Sequence, residues 1–216
     1  MIPVKRAKRL PASERRAQIV AVARDLFTSE GIERTSMRAI AARAGITATA
    51  IYDHFPDKAA LLRAIADQFF MRLIEAIASA LDAGSDPAAC FRNMAHAYVR
   101  CGLENPDEYR LVFMTPIVQL GKDDGFKHWS NRPEEETPGT RSFAMLESLI
   151  ARLMEAGYLA KADIRTTAEM LWACVHGIVA LLITHRDVDF SHPDALVDTL
   201  VRTFGQGLTK SRPPGA

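Results

Sequence analysis

The 216-residue chain has little of what marks several protein classes. It holds three cysteines, Cys90, Cys101 and Cys174. An odd count without a C-x-x-C pair argues against a disulfide framework and against a cysteine zinc site. Cys90 and Cys101 fall on one expected helix, where the rise of about 1.5 Å per residue sets them roughly 16 Å apart, too far to bond. The expectation is reduced thiols in a cytoplasm. The opening MIPVKRAKRL carries charge without an apolar segment, so a signal peptide is not expected. The longest near-apolar run, Met170 to Ile183, is 14 residues with His176 inside it; a membrane span needs about 20, so no membrane partner is expected. There is no G-x-S-x-G, phosphate-binding glycine loop, H-E-x-x-H or dinucleotide fingerprint, so neither an enzyme nor a cofactor is expected. His176, His185 and His192 lack carboxylate or cysteine partners at ligand spacing, which leaves no metal site in view. Few stretches alternate as strands do, and no fixed-period repeat is found.

What is present is ordinary globular material. Hydrophobic residues are 48% and charged residues 25%, enough to bury a sizeable core in a chain of this length. Net charge is only +1, but it is unevenly placed. Residues 1–60 hold 11 basic against 6 acidic side chains, and the remainder holds 16 against 20. A basic first quarter on an acidic remainder suggests two jobs.

The hydrophobic pattern predicts an all-α chain of about nine helices. After a basic arm (Lys5, Arg6, Lys8, Arg9), Ser13 is the expected N-cap of a first helix with Ile19, Val22, Ala23, Leu26 and Phe27 on one face. Gly31 ends it. Thr35 or Ser36 caps a short second helix carrying Met37, Ile40, Ala41 and Ala44, and Gly45 forces a tight turn. A third helix is expected from about Thr47 to His54, with Ile51 and Phe55 inward and Pro56 breaking it. Asp57 caps a long fourth helix striped by Leu61, Leu62, Ile65, Phe69, Leu73 and Ile77. Further helices are predicted over 87–103, 106–114, 140–156 and 163–185, with an irregular connection over 115–139 that holds Phe126, His128 and Trp129. Ser191-x-x-Asp194 resembles a capping box for a last helix reaching about Leu208.

Two short helices joined by a glycine turn over residues 35–62 make a helix-turn-helix, whose second helix enters the major groove. Thr47 and Thr49 are short hydroxyl residues at its exposed start. Tyr52 is a rigid ring ending in a hydroxyl, Arg38 is able to reach a guanine edge, and Lys58 beside a helix N-terminus suits a phosphate.

These residues resemble the DNA-binding domain of the TetR family of transcriptional regulators. The match lies in the Ile19-to-Phe27 stripe, Gly31, Thr35-Ser36, Ile40-Ala41, Gly45, Thr47, Tyr52, Phe55, Lys58 and Leu61-Leu62. The resemblance implies a homodimeric repressor on double-stranded operator DNA, released by a small-molecule effector. It implies a DNA-binding domain over 1–60 and an effector-binding and dimerisation domain over 61–216. It also implies DNA contacts at Ser36, Arg38, Thr47, Thr49, Tyr52, His54 and Lys58. Ala48 and Ala50 depart from the pattern by leaving the recognition helix short of long polar side chains, so readout leans on Arg38, threonine methyls and DNA shape.

Trp172-x-x-x-His176-Gly177 and the NPDEYRLVF stretch at 105–113 resemble a C-terminal domain recurring in some members, the WHG type. An apolar effector cavity is expected among Phe91, Met94, Tyr98, Phe113, Met145, Trp172 and His176, where helical spacing equally suits plain core. A dimer interface is expected from two helices. One presents the small line Ala173, Gly177, Ala180 and Thr184; the other presents the seam Val197, Leu200, Val201, Phe204 and Leu208. Two rivals are kept: a DNA-binding protein controlled by a protein partner, and a helical enzyme, for which residues 85–210 show no reactive constellation.

Overall fold

Pro11 starts the first helix. Its φ of −52° is already set for a helix entry, and Arg15 N donates to its carbonyl at 2.9 Å. Helix α1 (Ala12–Glu30) therefore begins one residue before Ser13, which is not the cap. The computed structural model describes residues 10–84, 86–115 and 136–208, with side chains as far as 205. The basic arm and Phe126, His128 and Trp129 lie outside the described residues. Among the described residues there is no β-strand.

The described residues form two compact units, residues 10–66 with 110–115 and residues 67–109 with 136–208. The first holds α1, α2 (Met37–Arg43), a single 3₁₀ turn (Ala50–Asp53) and the start of α3 (Lys58–Asp82). Its core gathers Ile19, Ala23, Phe27, Ile40, Ala41, Ile51, Phe55, Leu61 and Ile65, together with Leu111. Ile40, Ile51 and Phe55 are each 0% exposed, and burying a side chain of that size stabilises by about 1.5–3 kcal/mol. The expected inward faces of α1, α2 and α3 are all found.

The second unit holds the rest of α3, α4 (Pro87–Glu104), α5 (Pro106–Tyr109), α6 (Pro138–Glu155), α7 (Ile164–Thr184) and α8 (Pro193–Leu208). Helix α4 lies at its centre, packed against α6, α7 and α8. Gly102 makes the approach to α7 possible, because a Cβ there would sit 2.7 Å from Val179 Cγ1 and 3.0 Å from the Tyr109 ring. Local caps set the starts of α4, α6 and α7: Asp86 accepts from Ala89 N at 2.9 Å, Thr137 and Thr140 cap each other reciprocally, and Asp163 accepts from Thr166 N at 2.8 Å. That backbone N–H holds the Asp163 carboxyl below the usual carboxylate range.

The helix predicted over 106–114 and the start of the last helix also differ from expectation. The single helix predicted over 106–114 is instead one α turn followed by a π turn over Arg110–Met114, which Thr115 closes by donating to Arg110 O at 3.0 Å. At the start of α8, Asp194 N donates to the His192 ring at 3.3 Å rather than entering the expected Ser191 box. Helix α7 is 21 residues long with a mean hydropathy of 1.6, enough by length and composition to cross a membrane. Leu171, Val175, Val179 and Ile183 nevertheless turn one of its faces into the bundle.

Candidate nucleic-acid interface

The short elements of the first unit are held by their own side chains. Ser36, not Thr35, caps α2, its hydroxyl accepting from Ala39 N at 3.1 Å. Thr35 is buried and donates back to Gly31 O at 2.8 Å, tying α2 to the end of α1. Helix α2 ends on Gly45 at φ +70°, where Gly45 N reaches Ala42 O and Ile46 N reaches Ala41 O. That paired closure needs the left-handed conformation that only glycine adopts freely.

Beyond the turn, Thr47 Oγ1 accepts from Ala50 N at 3.1 Å and starts the recognition segment. The segment is shorter and tighter than the predicted helix over 47–54: turns at 48–49, then four residues of 3₁₀ helix. Ile51 and Phe55 anchor it from beneath, while Asp57 caps α3 by accepting from Ala60 N at 2.7 Å.

The seven residues expected at DNA sort by exposure. Ser36, Arg38, Thr47, Thr49 and Tyr52 are exposed, and Tyr52 keeps 56% of its surface in solvent. His54 and Lys58 are half-buried. Lys58 has a structural partner that the sequence did not disclose, donating to Ile32 O at 2.8 Å and so joining α3 to the α1–α2 connection. Two further cations come from α1. Arg16 Nη1 donates to His54 O at 2.6 Å with its guanidinium 4.0 Å above the Phe55 ring, and Arg15 Nη1 stands 3.5 Å from Ala44 O.

In the second unit the structure joins three of the expected effector residues through one the sequence reading missed. Trp172 Nε1 donates to Tyr98 OH at 3.0 Å, Tyr98 OH meets Tyr109 OH at 3.0 Å, and Tyr109 OH meets His176 Nδ1 at 2.6 Å. The Tyr109 ring is fully buried and stacks on His176 at 5.5 Å. Burial pushes both tyrosine hydroxyls well above their ordinary range and holds the His176 ring below its own. A neutral His176 accepting at Nδ1 lets each hydroxyl pass its proton along in one direction, with no donor wasted. Phe91 and Met94 are buried, and Met145 is half-buried. Phe113 falls in the π turn, within the first unit.

A separate cleft of about 820 Å³ opens in the second unit, lined by Arg72, Asn93, His96, Arg100, Cys101, Glu104, Asp194 and Asp198 among others. None of the seven expected effector residues lines it. It is polar: His96 sets Nδ1 against Asp194 at 3.2 Å and Nε2 against Asp198 at 2.9 Å, joining α4 to α8. Arg72 pairs with buried Glu108 beside it. Desolvation pushes the Cys101 thiol up to about 11, which makes it a poor nucleophile.

The expected dimer seam on α8 is corrected in part. Val197 is 0% exposed, and Phe204 is buried with its ring 6.3 Å from Phe91, so both belong to the chain's own core. Leu200 and Val201 are half-buried, and the Leu208 side chain lies outside the described residues. On α7, Ala173 and Thr184 are exposed and Gly177 and Ala180 half-buried.

A capped helix, a glycine turn and an exposed second segment on a three-helix core define a helix-turn-helix protein, here with a separate helical bundle. Residues 19–65 match the model of the bacterial regulatory proteins of the tetR family, and residues 91–204 match the tetracyclin repressor-like C-terminal domain. The chain belongs to the TetR family. It is 30% identical over 114 residues to the transcriptional activator FasR of Mycolicibacterium smegmatis, covering 53% of this chain and 52% of that one. It is 39% identical over 84 residues to the transcriptional regulator TtgR of Pseudomonas putida, covering 38% of this chain and 40% of that one. The chain thus spans about half or less of these curated relatives. A tetR-family regulatory protein from Rhodococcus RHA1 shares the fold at a TM-score of 0.70, with 21% identity over 92% of this chain and 98% of that one.

Proposed function

We propose that the protein is a sequence-specific DNA-binding transcriptional regulator, a repressor in its simplest form, that leaves its operator when a small molecule binds the C-terminal unit. The observation that carries this reading is the sidedness of the helix-turn-helix. Arg38, Thr47, Thr49 and Tyr52 are exposed, while Ile40, Ile51 and Phe55 hold the same elements from within. Arg38 suits a base edge, Tyr52 and the threonines suit bases or phosphates, and Lys58 keeps N–H groups for a phosphate beyond its bond to Ile32. Ser36 and His54 complete the proposed contact set.

A homodimer is part of the proposal, because two heads in successive major grooves lie about 34–36 Å apart or a multiple of that. It is supported by α7. A Cβ at Gly177 would meet nothing within 4 Å, and Met170 and Leu181 remain 49% and 47% exposed. With Leu200 and Val201, this line offers a partly apolar face of the kind an obligate interface covers. The effector is proposed as a largely apolar molecule with a polar group that competes for the Trp172–Tyr98–Tyr109–His176 chain, whose half-buried ends are Trp172 and His176. Release then follows if the effector binds the two spacings of the heads with different affinity.

The test is selection of duplexes from a random-sequence pool by the wild-type protein, repeated with Arg38→Ala. Arg38→Ala is expected to weaken the selected duplex by about 1–3 kcal/mol and to relax one position in each half-site. Recovery of no consensus sequence by the wild-type protein contradicts the reading.

A further inference from the structure

The recognition segment is too short to hold itself. Four residues of 3₁₀ helix close few hydrogen bonds, and isolated helices of that length do not persist in water. Ala48 and Ala50 add no long side chains to stiffen it. Its last carbonyl, His54 O, stands at the negative end of the turn, where a cation is favoured. Arg16 from α1 meets that carbonyl at 2.6 Å and lays its guanidinium over Phe55, the aromatic anchor of the segment, at 4.0 Å. The two contacts fix the two things a short segment leaves loose, its end and its roll about Ile51 and Phe55.

We propose that Arg16 is a positioning residue for DNA readout: it braces the recognition segment from α1 and sets the angle at which Thr49, Tyr52 and His54 are offered to the groove. This rests on the DNA-binding reading above. Arg16 is exposed, so a direct phosphate contact is the competing role, and the two roles give different signatures. A phosphate contact strengthens binding to every duplex and adds to the salt dependence. A brace matters only where the base edges must be met in register.

The experiment compares wild-type protein, Arg16→Ala and Arg16→Lys on a duplex selected by the wild-type protein and on its scrambled counterpart, across a salt series. Amide hydrogen exchange is measured on the same proteins without DNA. Arg16→Ala is expected to lose about tenfold on the selected duplex, the size of a charge-assisted hydrogen bond. Binding to the scrambled duplex and the salt slope should stay unchanged. Arg16→Lys, which keeps a donor and a cation, should restore most of the ratio. Exchange at the Tyr52, His54 and Phe55 amides, which bond to Thr49 O and Ile51 O, should quicken in Arg16→Ala while α1 and α2 keep their protection. Equal loss on both duplexes with a slope smaller by about one unit makes Arg16 a phosphate contact and overturns the proposal. An unchanged ratio overturns it too. If wild-type protein binds no duplex, the DNA reading fails; unchanged exchange at the three amides then overturns the brace independently.

Discussion

Tyr52 is a large aromatic side chain that folding leaves in water, and a side chain the core does not use is free to serve a partner. Since it is 56% exposed, Tyr52→Ala is expected to change stability by no more than about 0.5 kcal/mol. Operator affinity should fall on the order of tenfold or more. Thermal melting and anisotropy on one preparation separate the two effects. His176 carries the opposite prediction, a stability effect with a pH signature. Burial holds its ring below the ordinary 6.5. As pH falls through that value the unfolded chain takes up protons before the folded one does, so stability is full above about 6.5 and is lost below it. The melting temperature of wild-type protein should drop more steeply on acidification than that of His176→Gln; parallel curves would contradict the burial argument. At this scale the sequence disclosed residues whose partners are near in the chain. Gly45 closes onto Ala42 and the next residue, Ile46, onto Ala41, and Asp57 caps a helix by bonding three residues on. Tyr109 stayed hidden because its partners, Tyr98 and His176, are 11 and 67 residues away. Lys58 likewise bonds a carbonyl 26 residues back, which no local pattern announces.

Among the elements, the inward stripes of α1, α2 and α3 were legible because 3.6-residue periodicity depends only on local order. Two things were not. Period cannot distinguish a turn of 3₁₀ or π from α over four or five residues, so the recognition segment and Arg110–Met114 both came out tighter or wider than expected. Nor can a seam state what covers it. On α8, Val197 and Phe204 are covered by the chain's own bundle, while Leu200 and Val201 stay partly open. The close crossing of α4 on α7 gives the prediction for this scale. A methyl at Gly102 would stand 2.7 Å from Val179 Cγ1 and 3.0 Å from the Tyr109 ring. Gly102→Ala must push α4 from α7 or displace Tyr109, and overpacking of this kind costs about 1–3 kcal/mol. Chemical denaturation measures it, and a variant as stable as wild type would place the flexibility of this crossing well above what the packing suggests.

For the molecule as a whole, the sequence disclosed a helix-turn-helix first and a run of longer helices after it. The polar cleft around His96, Asp194 and Asp198 was not foreseen, since Asp194 and Asp198 lie 98 and 102 residues beyond His96 in the chain. The proposed dimer turns on α7. Gly177→Leu has room within the single chain, because nothing lies within 4 Å of a Cβ there. It should therefore keep its fold, dissociate to monomer in sedimentation at micromolar concentration and lose operator binding with it. A stable dimer would move the interface away from the small line. The most direct test of the DNA-reading account is the ratio of affinities of the wild-type protein for a duplex it selects and for a scrambled duplex of the same composition, at physiological salt. A ratio of about 10³ or more is expected, the range of specific regulators. Equal affinity for the two duplexes, with the same salt slope, would mean that the exposed side of the helix-turn-helix meets phosphates and reads no sequence.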